Sequence, residues 1–130
     1  LGICMGAYWA GQHYLDMLEG VDAVQYITRP GTDTHRPHAK NLDVTWNNNP
    51  EKMYFYDGCA LVGNGDYNTI ATYANGDPMA IIQNNIGIIG CHPEATPHYY
   101  NSYSWMQGKF ESKQHLLKEF VDQVFAGVSK

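Results

Sequence analysis

Three consecutive β-like segments in the second half of the chain limit its possible folds more than any other feature. They are Asn68–Tyr73, Pro78–Gln83 and residues 86–91, and each is rich in apolar or β-branched side chains. Asn75-Gly76 separates the first two segments, and Asn84-Asn85 separates the second from the third. Links this short join neighbouring antiparallel strands, so the sequence predicts a hairpin or meander here.

The last of these segments leads into a group of reactive side chains. Ile86–Ile89 is apolar apart from one glycine, a composition typical of a strand that is buried on both faces, as in parallel sheets. Cys91-His92-Pro93-Glu94 follows it directly. Reactive groups at the carboxyl ends of strands are typical of α/β proteins. We therefore expect an α/β fold with a functional site at this edge of its sheet.

A second reactive segment lies at the start of the chain. Gly2-Ile3-Cys4-Met5-Gly6 has the pattern of a nucleophile elbow, in which glycines leave room for a nucleophile on a tight strand-to-helix turn. Apolar or small residues with a helical period over 7–18 predict the following helix, and Gly20 would end it. The start of a helix lowers the pKa of a thiol, and the Met5 N–H could bind an oxyanion.

The two reactive segments complement each other chemically. Cys4 would be the nucleophile, His92 the base that takes its proton, and Glu94 the carboxylate that orients His92. Taken alone, Cys4 could equally be a small buried apolar residue, and His92 an ordinary surface or core side chain. Their combination favours a Cys-His-Glu catalytic triad.

The same segments carry a resemblance to a known group of proteins. Gly2-Ile3-Cys4-Met5-Gly6 and His92-Pro93-Glu94 resemble the nucleophile and His/Glu segments of class I glutamine amidotransferase-like domains. Together with Tyr56-Asp57-Gly58-Cys59, they most resemble the biotin-protein-ligase N-terminal-like family. The resemblance implies a flavodoxin-like three-layer α/β sandwich with a mostly parallel central sheet, a triad of Cys4, His92 and Glu94, and the Met5 N–H as an oxyanion donor.

The resemblance also sets expectations for the substrate and for the extent of the domain. Glutaminases of this superfamily carry Gln where this chain has Tyr8, so we expect an amide or acyl substrate other than glutamine. Tyr8, Asp57 and Gly58 are the candidate substrate-binding residues, although Asp57 could equally cap a turn. Because the elbow starts at the second residue, we expect residues 1–130 to be the C-terminal part of one longer domain. N-terminal βα units, or a complementing chain, would complete it.

The composition of the chain disfavours several classes of function. Thirteen acidic against eight basic residues give a net charge of −5, which disfavours binding to nucleic acid or to an anionic membrane. No apolar run reaches the roughly 20 residues of a membrane span. Three cysteines without a C-x-x-C pair favour separate thiols in a reducing cytoplasm. We expect a soluble protein without a cofactor.

Two further interpretations remain open on sequence alone. His35 and His38, with His13 and His98, could be imagined as a metal site, but their spacing fits no metal motif, and solvated loop histidines are the reading that we favour. The chain could also be a binding or regulatory module that keeps a pocket without catalysing a reaction.

The other predicted elements are strands over 21–28, 41–46 and 53–56, and an amphipathic helix with apolar residues at Leu117, Phe120, Val121, Val124, Phe125 and Val128.

Overall fold

A computed structural model of the protein describes residues 1–3, 18–35, 39–83, 86–95, 106 and 112–128. Within these residues the chain forms eight strands, one short 3₁₀ turn and one α-helix. The strands are β1 (Gly2–Ile3), β2 (Asp22–Gln25), β3 (Lys40–Trp46), β4 (Asn49–Phe55), β5 (Cys59–Val62), β6 (Asn68–Tyr73), β7 (Pro78–Gln83) and β8 (Ile86–Ile89). The 3₁₀ turn is Tyr26–Thr28, and the helix α1 is Gln114–Val128.

The strands form one large and one small sheet. The large sheet has six strands in the order β1-β8-β7-β6-β3-β4, and the small sheet pairs β2 with β5. Among the described strands, β1 and β8 run parallel, whereas every other pair is antiparallel. The predicted meander is confirmed, because β6, β7 and β8 are consecutive antiparallel neighbours.

The prediction of a flavodoxin-like α/β sandwich with a mostly parallel sheet is wrong, because the described architecture is mostly antiparallel. The short connections explain the difference. Two residues separate β3 from β4, and two separate β7 from β8. A parallel pair needs a crossover of a dozen residues or more, so links of this length can join only antiparallel strands. The α/β class implied by the amidotransferase-like resemblance is therefore corrected as well.

Burial on both faces of β8 does not require a parallel sheet in this protein. On one face Ile88 packs with Leu61 of β5 and Ile81 of β7 in a buried cluster. On the other face α1 lies close above Gly87, where an added Cβ would come within 2.7 Å of a ring carbon of Phe120. The apolar composition of β8 thus reflects coverage by a second strand layer and by a helix.

The predicted C-terminal helix is confirmed, although its buried face is shifted by one position. Leu116, Phe120 and Val124 are buried at helical spacing, and the Phe120 ring packs edge-on against Trp46. Phe125, which the sequence pattern assigned to the apolar face, is exposed. No helix among the described residues is long and apolar enough to cross a membrane.

The predicted strands over 41–46 and 53–56 form a hairpin. Asn47 and Asn48 both have positive φ angles, 47° and 68°, between the paired residues Trp46 and Asn49. Two such residues make the type I′ turn that matches the twist of antiparallel strands. Residues 7–17 of the helix predicted over 7–18, and the turn at 84–85, lie outside the described residues.

Candidate functional site

The candidate site lies where two neighbouring strands of the large sheet end together. Gly2 pairs with Ile88 and Ile3 with Ile89 in the parallel β1–β8 pair. The carboxyl ends of parallel strands point to the same edge of the sheet. The chain therefore leaves β1 after Ile3 at the edge where Gly90 and the following residues leave β8.

His92 and Glu94 contact each other in the segment after β8. The Nδ1 atom of His92 lies 2.6 Å from Oε1 of Glu94, which is the distance of a short, charge-assisted hydrogen bond. With Glu94 ionised, its carboxylate only accepts hydrogen bonds, so Nδ1 would carry the hydrogen and Nε2 would be the basic nitrogen of the neutral ring. Both side chains are partly buried, with 19% of His92 and 30% of Glu94 exposed. An imidazole paired with a carboxylate in this way is the arrangement that a general base and its orienting group require.

The backbone of His92 is held by the end of β4. Its N–H donates to the carbonyl oxygen of Tyr54 at 2.9 Å, which forms an isolated antiparallel bridge between the two residues. Ala95 N–H donates in turn to the His92 carbonyl oxygen at 3.3 Å, closing a turn around Pro93. The segment that carries His92 and Glu94 is therefore tied both to β4 and to itself.

The Tyr54 ring also contacts the imidazole of His92. The two ring centroids lie 5.7 Å apart with an interplanar angle of 69°, an edge-to-face arrangement. This contact is not evident from the sequence. The run Met53-Tyr54-Phe55-Tyr56 predicts an aromatic strand, but no local pattern indicates which distant segment such a strand will meet.

Glu94 has a second carboxylate oxygen with an unusual environment. Oε2 is buried and has no hydrogen-bond partner among the described residues. A buried acceptor without a partner costs free energy, roughly 1–3 kcal/mol in typical cases. A catalytic role is one of the known explanations for such a group in a native structure.

Of the two described candidate substrate-binding residues, Gly58 lies nearer to the His92 segment. An added Cβ on Gly58 would come within 2.1 Å of the Gly90 carbonyl oxygen, so the two backbones are in direct contact. The side chain of Asp57 instead accepts a hydrogen bond from Gln25 Nε2 at 3.1 Å in an exposed position. Asp57 also has a positive φ of 46°, which fits a turn.

The two described cysteines are packing residues. Cys59 and Cys91 are both fully buried. The Cys91 thiol lies 3.8 Å from the Tyr73 hydroxyl, which donates to the Cys59 carbonyl oxygen at 2.7 Å. Buried thiols in such surroundings are inert compared with partly exposed ones.

The remaining predicted site residues are Cys4, Met5 and Tyr8, and they lie outside the described residues. The same is true of His13, His38 and His98. Within the part of the chain that the structure describes, no group of three or more His, Cys, Asp or Glu side chains could hold a metal ion.

Comparisons with known proteins do not assign the chain to a family. No protein-family model matches it, and no curated protein matches it.

Proposed function

We propose that the protein is a cysteine-dependent hydrolase that acts on a small-molecule amide or acyl compound through a Cys4-His92-Glu94 triad. One observation carries the proposal. The His92–Glu94 hydrogen bond lies at the edge of the sheet where β1 ends. The last residue of β1, Ile3, directly precedes Cys4 in the sequence. A paired imidazole and carboxylate beside a chain segment that bears a thiol are the parts that such a triad requires.

Chain connectivity supports this arrangement. Ile3 is paired with Ile89 on a neighbouring strand, and adjacent strands lie about 4.8 Å apart. Cys4 is bonded to Ile3, and consecutive Cα atoms are about 3.8 Å apart. His92 follows Ile89 by three residues. Ile3, the residue bonded to Cys4, thus lies beside the end of the strand that leads to His92.

The proposed reaction proceeds in two steps. His92 Nε2 removes the proton from the Cys4 thiol, the sulfur attacks the substrate carbonyl carbon, and the protonated His92 gives its proton to the departing amine or alcohol. Water, deprotonated by His92, then attacks the thioester, releasing the carboxylic acid and restoring the thiol. The Met5 N–H would stabilise the oxyanion in both steps, and Glu94 would hold His92 in the productive tautomer.

The motif resemblance supports these roles but leaves the substrate open. The segments around Cys4 and His92 resemble the nucleophile and His/Glu segments of class I glutamine amidotransferase-like domains, although the parallel fold that this implied is overturned. Tyr8 replaces the expected Gln, so we propose a substrate other than glutamine. A reducing compartment such as the cytoplasm is part of the proposal, because the three cysteines of the sequence include no C-x-x-C pair.

The decisive experiment measures how fast iodoacetamide alkylates Cys4 at pH 6, with peptide mass spectrometry to locate the label. An ordinary thiol, with a pKa near 8.5, is less than about 1% ionised at this pH. An adjacent imidazolium would increase the thiolate fraction, so we expect at least tenfold slower alkylation of Cys4 in His92→Ala than in the natural protein. Glu94→Gln should give a smaller decrease in the same direction, because it removes the charge that favours imidazolium.

A histidine away from the site gives the matched control. His115 is exposed on α1, and His115→Ala should leave the Cys4 alkylation rate unchanged. Cys59 and Cys91 are unsuitable references because burial alone would slow their alkylation. If His92→Ala alkylates as fast as the natural protein, the activated nucleophile is refuted, and a non-catalytic binding or regulatory module becomes the better proposal.

A further inference from the structure

Tyr54 contacts His92 in two independent ways. Its carbonyl oxygen accepts the His92 N–H at 2.9 Å, and its ring lies edge-to-face against the imidazole with centroids 5.7 Å apart. The first contact fixes the backbone from which the imidazole projects. The second restricts rotation of the imidazole itself, which the backbone contact does not control.

The surroundings of Tyr54 hold its ring in place. Tyr54 is only 4% exposed and belongs to a small buried cluster with Ala39, Ala95 and Met106. Ala95 directly follows Glu94 in the chain. The same cluster therefore holds the residue beside Glu94 and the ring beside His92, so it supports both members of the pair.

The hydrogen bond to Glu94 cannot fix the imidazole by itself. It holds one ring atom, Nδ1, and the ring can still tilt about that point. A second contact on the ring is needed to define the direction of Nε2. The Tyr54 ring supplies such a contact, and a buried aromatic side chain loses little further conformational freedom in doing so.

We propose that Tyr54 is a positioning residue that sets the orientation of the His92 imidazole in the site, and so maintains the hydrogen bond to Glu94 that selects its tautomer. This inference rests on the function proposed above for His92, but it concerns a residue to which the proposed mechanism gives no role. By this inference, the last residues of β4 are part of the site because they support its base, His92.

The test compares Tyr54→Leu with Tyr54→Phe by nuclear magnetic resonance of protein labelled with ¹⁵N in its histidine rings. In the natural protein and in Tyr54→Phe, the His92 signals should show hydrogen on Nδ1 at neutral pH. In Tyr54→Leu we expect a mixture of tautomers, because the ring is no longer held in the orientation that favours the Glu94 bond. The backbone hydrogen bond to residue 54 is available in every variant, so the comparison isolates the ring.

Two further variants keep the result interpretable. Phe55→Leu removes a comparable buried ring from the neighbouring position, which packs against Tyr26 and Tyr73, and it should leave the His92 signals unchanged. Tyr54→Met replaces the ring with a flexible apolar chain and is read in the same way if Tyr54→Leu does not fold. Unchanged His92 signals in the folded Tyr54→Leu or Tyr54→Met variant would overturn the proposal, as would an equal change in Phe55→Leu.

The alkylation assay at pH 6 separates this inference from the proposed function. If both hold, Tyr54→Leu should slow Cys4 alkylation by about tenfold, since small misplacements of a catalytic group have effects of this size or larger. The nuclear magnetic resonance readout does not involve Cys4. A tautomer change in Tyr54→Leu without His92 dependence of Cys4 alkylation would refute the hydrolase while retaining the positioning role.

Discussion

At the scale of single residues, the site depends on a glycine that allows three chain segments to meet. An added Cβ on Gly90 would come within 2.2 Å of the Cys59 carbonyl oxygen and 2.7 Å of the Tyr73 hydroxyl. These two groups are hydrogen-bonded to each other, so neither can move without loss of that bond. Gly90 thus allows the end of β8, and the His92 segment after it, to lie against β5 and β6.

Substitution of Gly90 by alanine should therefore destabilise the protein. We expect Gly90→Ala to lower the free energy of unfolding by about 2–3 kcal/mol, because the new methyl group must displace backbone or break the Tyr73 bond. Urea denaturation monitored by circular dichroism measures this change.

The control for this prediction is another glycine in a turn. Gly76 has a φ of 92°, and nothing lies within 4 Å of an added Cβ. Asn accepts positive φ angles, so Gly76→Asn should cost less than about 1 kcal/mol. Equal losses in the two variants would show that the close contacts at Gly90 are not responsible.

At the scale of elements, the β3–β4 hairpin carries Tyr54 to His92, and its turn is defined by two asparagines. Asn47 and Asn48 have φ angles of 47° and 68°, which β-branched residues rarely adopt. The turn fixes a register in which Leu42 pairs with Met53 and Asn41 with Tyr54. A disturbed turn would therefore also disturb the strand that supports the candidate base.

We expect Asn48→Val to lower the melting temperature and to reduce the free energy of unfolding by about 1–2 kcal/mol, because valine is strained at a positive φ. Asn48→Gly should be neutral or slightly stabilising, since Asn-Gly is a preferred type I′ pair. Differential scanning calorimetry of the two variants measures the difference.

The same substitution at a strand position serves as the control. Asn68 is exposed at the start of β6, where valine fits the extended backbone, so Asn68→Val should change the stability by less than about 0.5 kcal/mol. Equal destabilisation by Asn48→Val and Asn68→Val would contradict the role of the turn.

The elements also show what the sequence could and could not predict. The bounds of β6 and β7 and the existence of α1 follow from local patterns and turn residues. The parallel α/β assignment failed because the apolar run Ile86–Ile89 indicates burial on both faces but not the direction of its neighbours. The short strand β5 lies between two glycine-containing turns, and its four residues show no alternation of apolar and polar side chains. It was therefore not predicted.

The candidate site, too, could be predicted from the sequence only in part. His92 and Glu94 are two residues apart, so a contact between them could be anticipated from sequence spacing, and the structure brings them within 2.6 Å. The contact of His92 with Tyr54 joins distant parts of the chain and depends on sheet topology. Local sequence patterns carry no information on that pairing. Long-range contacts of this kind required the structure.

At the scale of the whole molecule, one tyrosine joins the small sheet to the large one. Tyr26 directly follows β2 and stacks on Tyr73 of β6, with ring centroids 3.7 Å apart and planes 12° apart. Its hydroxyl donates to Asp33 at 2.6 Å. Burial and this hydrogen bond to a carboxylate both favour the neutral phenol, and they raise the pKa of Tyr26 to about 12.

This raised pKa predicts how stability changes at alkaline pH. Below pH 10, Tyr26 keeps its proton in both the folded and the unfolded chain. Between pH 10 and 12, only the unfolded chain loses it, so unfolding releases a proton and a rise in pH favours the unfolded state. We expect the free energy of unfolding to fall by about 2 kcal/mol over this range from Tyr26 alone.

The comparison with Tyr26→Phe isolates this effect from the nine other tyrosines of the chain. Phenylalanine keeps the ring that stacks on Tyr73 but cannot ionise. Urea denaturation between pH 9 and 12 should therefore show a steeper loss of stability in the natural protein than in the variant. If the two curves stay parallel above pH 10, Tyr26 does not hold its proton more tightly in the folded state. The contribution of Tyr26 to the contact between the sheets would then come from its ring packing and not from the neutral phenol and its bond to Asp33.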